Sequence, residues 1–142
     1  MKQIHITLPG RPATKKNSQT IVRAGGKLIP IQGKAFKEYE KACLVYLKTY
    51  KGDRFTGEPV HMCARYYMPN RRSWPDLVGL LQATCDILEK AGIILNDRDI
   101  VSFDGSMIAG VDEKNPRTEI TLEAKYAFVH ARCYGEWWQN GE

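Results

Sequence analysis

The sequence has little of what builds disulfide frameworks or zinc sites. It contains four cysteines, which are Cys43, Cys63, Cys85 and Cys133. None of them forms a C-x-x-C pair, and their spacing fits no zinc motif. The three histidines lie far apart, and His5 and His61 stand in strand-like alternation, which favours structural histidines over metal ligands. We therefore expect reduced thiols in a cytoplasmic protein.

Long apolar runs are also missing. The N-terminus, MKQIHITLPG, lacks the apolar stretch of about 7–15 residues that a signal peptide needs. No run approaches the ~18 apolar residues of a membrane span, so no membrane partner is expected. Repeats, low-complexity segments and linkers are absent as well. We expect one domain over residues 1–142, with a core at about 3–124 and a C-terminal tail, 127–142, that contains Trp137 and Trp138.

Basic residues outnumber acidic ones. The chain has 21 Lys and Arg against 16 Asp and Glu, a net charge of +5, and a pI near 9.0. A small basic domain is compatible with a polyanionic partner such as nucleic acid. It is also compatible with a basic protein that binds nothing charged.

Hydrophobic periodicity predicts a mixture of strands and helices. Strands are predicted at 2–8, 59–68, 99–108 and 117–129, a hairpin at 20–31, and helices at 34–50 and from Ser73 to just before Gly92. The expected fold class is α+β, a small domain in which two helices pack on a mixed, mainly antiparallel sheet.

Asp76 stands at the start of the second helix. Ser73 fits an N-cap, Pro75 the first turn and Asp76 the third helical position. One interpretation of Asp76 is therefore an acid that only stabilises a helix end. Asp86 lies about 15 Å further along the helix axis, too far to share an ion with Asp76. It is roughly opposite the apolar face, and we interpret it as a solvated or structural acid.

Partners for Asp76 must come from elsewhere in the chain, and Asp97, Asp99 and Asp104 are the candidates. If the strand at 99–108 is continuous, Asp104 shares one face with Ser102 and Ser106. That face would line a polar pocket or point into solvent.

The run from Asp76-Leu77 through Asp86 and Leu88 to Asn96-Asp97 resembles the RusA family of Holliday junction resolvases. The segments GRPATKKNS and GKAFKEYEKA resemble phage-type members. The resemblance implies a small homodimeric endonuclease of mixed α/β fold. It also implies that aspartates hold Mg²⁺ or Mn²⁺, and that the enzyme nicks opposed strands of four-way, branched DNA junctions.

The family's helix typically begins Asp-Leu-Asp-Asn-Leu, has a lysine six residues after the first aspartate, and ends before an Asp-Asp pair. Asp76 and Asp97 match this pattern. Other positions depart from it, and they hold Val78, Gly79, Gln82 and Asn96. Because valine supplies no ligand, we predict that Asp104 joins Asp76 and Asp97 as catalytic residues and metal ligands. Lys15, Lys16 or Arg98 would replace the lysine.

Loop residues complete the predicted DNA-binding surface. They are Lys15, Lys16, Asn17, Arg71, Arg72 and Arg98. Three interpretations remain open: an active junction resolvase, a degenerate relative that binds branched DNA without cutting it, and an unrelated basic protein in which Asp76 is only a helix cap.

Overall fold

A computed structural model describes residues 2–15, 20–31 and 33–125. The strands are β1 Gln3–Pro9, β2 Thr20–Ala24, β3 Lys27–Ile31, β4 Val60–Met68, β5 Ile100–Ser102, β6 Met107–Val111 and β7 Arg117–Ala124. The helices are α1, Lys34–Leu47, and α2, Leu77–Lys90. A 3₁₀ turn at Asp97–Asp99 precedes β5. The predicted tail and the end of the predicted strand at 117–129 lie outside the described residues.

The main sheet is mixed. Its order is β1-β7-β4, and both β5 and β6 lie beside β4. The long pairings, β1 with β7 and β4 with β7, are antiparallel, whereas the shorter β5 and β6 run parallel to β4. The strands β2 and β3 form the separate hairpin that the Ala-Gly-Gly turn predicted. The predicted α+β class, with two helices and a mixed sheet, is confirmed.

Both helices bury one face against the sheet. Alternate side chains of β1 and β7 are buried, and they share one core with the buried faces of α1 and α2. Two hydrogen bonds cross this core: Tyr39 to Thr118 at 3.2 Å and Tyr66 to Thr84 at 2.7 Å. These buried hydroxyls therefore have hydrogen-bond partners, as buried polar groups require.

The continuous strand predicted at 99–108 is wrong. A turn at Asp104-Gly105 separates β5 from β6, with Gly105 at a φ of 85°. The Ser106 hydroxyl, just before β6, accepts a hydrogen bond from the Ala64 backbone N–H at 3.0 Å. The predicted common face of Ser102, Asp104 and Ser106 therefore does not form, because the turn redirects Asp104.

The described histidines each pair with a hydroxyl on a neighbouring strand. His5 pairs with the Thr121 hydroxyl at 3.1 Å, and His61 pairs with the Ser102 hydroxyl at 2.9 Å. Three cysteines are free thiols, and they are Cys43, Cys63 and Cys85; Cys133 lies outside the described residues. Neither of the two helices in the described ranges is long and apolar enough to cross a membrane.

Candidate active site on the second helix

Asp76 is the N-cap of α2. Its backbone is extended, and its Oδ2 accepts a hydrogen bond from the Gly79 N–H at 3.0 Å. The prediction that Ser73 caps the helix is wrong: Ser73 lies three residues earlier, at a φ of 53°. Aspartate and serine cap almost equally well, so the sequence pattern alone did not distinguish them. The Asp76 side chain nevertheless remains exposed.

The capping role can be separated from any catalytic role of Asp76. We expect Asp76→Ala to lower the free energy of unfolding by about 1 kcal/mol, because the Gly79 N–H loses its acceptor. Asp76→Asn should leave stability nearly unchanged, because asparagine caps as well as aspartate. Urea unfolding of the two variants checks this, and equal destabilisation would contradict the capping role. A loss of cleavage in the stable Asp76→Asn variant would assign chemistry to the carboxylate.

A groove of about 360 Å³ runs along the exposed side of α2 from Asp76 to Asp86. Val78 and Gln82 line it between these acids, and Val78 is 73% exposed. Lys15 enters the groove from the N-terminal loop, and its Nζ donates to Asp86 Oδ2 at 2.9 Å. An ammonium group from the loop therefore enters the groove that Gln82 lines.

Gly79 allows this loop to approach the helix. A Cβ at this position would lie 2.9 Å from Asp76 Oδ1 and 3.3 Å from Thr14 Cγ2. A side chain there would push the capping carboxylate and the loop apart. The departure at Gly79 thus accompanies the close approach of the loop that carries Lys15.

Three carboxylates converge at the far end of α2. Oxygens of Asp86, Glu89 and Asp97 lie within 4.8 Å of one another. Asp86 and Glu89 are three residues apart, so they share a helix face. Asp97 comes from the 3₁₀ turn, which Asn96 caps by accepting from the Arg98 N–H at 3.0 Å. Asn96, which departs from the family's Asp-Asp pair, thereby helps to hold Asp97.

The pKa of Cys85 responds to burial and to the charge of this acidic group. Burial, together with the negative charges of Asp97, Asp86 and Glu89, raises the pKa of the Cys85 thiol to about 12. The thiol therefore stays protonated at neutral pH. The grouped side chains of Asp86, Glu89 and Asp97 are all carboxylates, so an ion held among them would be coordinated by oxygen.

The structure brings together only part of the predicted ligand set. Asp97 belongs to the carboxylate group, whereas Asp76 and Asp104 are not members of it. Asp104 is exposed in the β5–β6 turn, where its backbone N–H donates to the Ser102 hydroxyl at 3.2 Å. Glu89 was not predicted from the sequence, and Asp86 was predicted to be a solvated or structural acid. Their three-residue spacing, just before the chain turns at Gly92, was the available signal.

The predicted basic residues fall into three groups. Arg71, Arg72 and Arg98 are exposed. Lys15 is engaged by Asp86 and also lies 5.8 Å from the centre of the Phe36 ring. Lys16 and Asn17 lie outside the described residues.

The model of the family described as endodeoxyribonuclease RusA matches residues 9–123. The chain belongs to this family. The match includes α1, α2, the groove and every acid discussed above, and it confirms the resemblance found in the sequence. Membership implies a Holliday junction resolvase type of nuclease function. A search of curated proteins finds no match to the chain.

Proposed function

We propose that this RusA-family protein is an Mg²⁺- or Mn²⁺-dependent homodimeric endonuclease that nicks opposed strands of four-way DNA junctions. The observation that carries the proposal is the convergence of Asp86, Glu89 and Asp97 beside a groove that also holds Asp76 and Lys15. Two symmetric nicks suit a two-fold protein. We further propose that it acts in the cytoplasm of a bacterial or phage-infected cell.

The acidic group fits a hard divalent cation. Mg²⁺ and Mn²⁺ prefer oxygen ligands, and Mg²⁺ commonly takes one or two carboxylates together with water and phosphate. Asp86, Glu89 and Asp97 would hold the ion. Once bound, it would polarise the phosphoryl group and lower the pKa of a bound water. Glu89 provides a third carboxylate in this protein, in which Val78 stands at the position of the family's second helix acid.

Lys15 supplies the positive charge that Gln82 cannot. Its ammonium already lies within hydrogen-bond distance of Asp86 in the groove. A phosphate entering the groove would compete with Asp86 for this ammonium, which would then stabilise the charge that develops at the scissile phosphate. Asp76, exposed at the other end of the groove, remains a proposed catalytic residue beside it.

The exposed arginines would hold the DNA backbone. Arg71 and Arg72 precede α2, and Arg98 lies in the turn that carries Asp97. Guanidinium groups bind phosphates in a bidentate manner. Lys16 and Asn17 extend the Lys15 loop in sequence, and they remain proposed contacts. Binding through these groups would weaken steeply as salt rises.

A degenerate junction-binding protein is the second candidate. It is favoured by Val78 and Gln82, which replace an acid and a lysine of the family pattern. The junction-cutting protein and the degenerate protein predict different results in a cleavage assay. If instead Asp104 is a metal ligand, as the sequence predicted, the protein would cut junctions with an active site other than the group of Asp86, Glu89 and Asp97.

We expect the native protein to make paired, symmetric nicks in a labelled synthetic four-way junction with Mg²⁺ or Mn²⁺. The matched control is a linear duplex that carries the sequence of one junction arm, and it should stay intact under the same conditions. Tight junction binding without nicks in either metal would favour the degenerate protein. Failure to bind the junction would contradict both candidates.

A further inference from the structure

A second and larger cavity lies beside the start of α2. Its volume is about 740 Å³, and it is formed by the loop after β1, one face of α1 and residues 73–75. Its walls are mostly apolar or small side chains, and its charge comes from Arg11 and Glu38. The acidic group and the groove contribute no charged side chain to it. A flat, partly polar molecule fits this lining better than a bare ion or a phosphate does.

Trp74 forms an aromatic wall of the cavity, and neighbouring residues fix its conformation. Its side chain is held because the indole N–H donates to the Asn70 carbonyl oxygen. The residue is still 40% exposed. Ser73 before it adopts a left-handed backbone, which is costly for a residue other than glycine, and Pro75 after it is buried. The backbone around Trp74 is thus fixed in an uncommon conformation that presents the ring.

The cavity adjoins the proposed catalytic groove. Thr14 lines both of them. Trp74 also lies only two residues before Asp76, the N-cap of α2, so the cavity lies close to the start of this helix. A DNA strand that follows the groove from a phosphate at Asp86 to the Asp76 end, about 15 Å along the helix, would therefore bring a base to the mouth of the cavity.

We propose that this cavity binds one unstacked nucleobase beyond the Asp76 end of the groove, a few nucleotides from the scissile phosphate, with Trp74 stacking on the base. The proposal rests on the proposed nuclease function and extends it to substrate recognition. Aromatic side chains stack on any base, whereas hydrogen-bonding groups distinguish one base from another. Arg11 offers donors and Glu38 offers acceptors at the same cavity, so both kinds of recognition are available.

A binding cycle in metal-free buffer tests the proposal without requiring cleavage. Junction affinity is measured for the native protein and for Trp74→Ala, on intact junctions and on junctions with one abasic nucleotide scanned across the crossover. We expect Trp74→Ala to weaken binding about 10-fold to 100-fold. An abasic nucleotide at one position should weaken native binding similarly and should cost Trp74→Ala nothing further.

Two more variants separate stacking from general damage. Ala42→Phe fills the cavity from an exposed position of α1, and it should weaken junction binding as Trp74→Ala does. Phe103→Ala removes a ring of similar exposure, 39%, outside the cavity, and it should bind normally. Additive losses in the cycle, or normal binding by Ala42→Phe, would overturn the base pocket and leave the nuclease proposal standing. A native protein that does not bind the junction would overturn both.

Discussion

Asp97→Asn is expected to reduce junction cleavage by about 1,000-fold or more and to leave junction affinity within about threefold. The change keeps the shape of the side chain and removes one negative ligand from the group with Asp86 and Glu89. A 1,000-fold loss corresponds to about 4 kcal/mol of transition-state stabilisation, a reasonable share for a ligand of a catalytic metal. Single-turnover cleavage and binding of the same labelled junction measure the two quantities.

Two variants of other acids make the Asp97 result specific. Glu89→Gln should also lose most of the cleavage, because it removes a second carboxylate from the same group. Asp104→Asn is the matched control: it neutralises an exposed turn acid outside that group and should cleave within about threefold of the native rate. Large losses for Asp104→Asn together with normal cleavage by Glu89→Gln would contradict our ligand set and favour an active site that includes Asp104.

Lys15→Ala is expected to slow cleavage by about 100-fold at saturating metal. The variant lacks the ammonium group that would stabilise the negative charge developing on the scissile phosphate. The same variant should bind Mn²⁺ more tightly than the native protein does. Its Asp86 no longer has the ammonium that lies 2.9 Å away in the native chain. Metal titration, followed by cleavage at saturation, separates these opposite effects.

A lysine placed on α2 to restore cleavage in Lys15→Ala tests the role of Lys15 more directly. Gln82 lines the same groove as Lys15, at the position where the family carries its lysine. Adding Gln82→Lys to Lys15→Ala should recover at least about tenfold of the lost cleavage, because an ammonium returns to the groove. An unchanged rate in the double variant would show that the effect of Lys15→Ala arises from its own loop rather than from charge in the groove.

Local pattern was sufficient for most of the fold. The 3.6-residue period predicted α1 and α2, and Gly92, with a φ of 75°, ends the second helix as expected. The alternation of β7 and the glycine turn of the hairpin were equally informative. The break between β5 and β6 was missed because Asp104-Gly105 was interpreted as part of a strand, although Gly105 adopts a left-handed backbone that favours a turn.

The candidate site was harder to predict because it is assembled from distant segments. Lys15 and Asp86 are 71 residues apart in sequence. No periodicity relates them, and the loop that carries Lys15 packs closely beside Gly79 of α2. Asp86 was set aside because it cannot share an ion with Asp76 across ten residues of helix. The residue that joins Asp86 is instead Asp97, which reaches it from the turn after α2.

Anomalous diffraction from crystals soaked in Mn²⁺ tests the central claim most directly. We predict a manganese peak bounded by carboxylate oxygens of Asp86, Glu89 and Asp97, each within about 2.0–2.6 Å of the ion. Lys15 should have moved from the Asp86 oxygen that it contacts without metal. A peak beside Asp76 or Asp104 with none at this group, or no peak in a protein that cleaves junctions with Mn²⁺, would contradict the account.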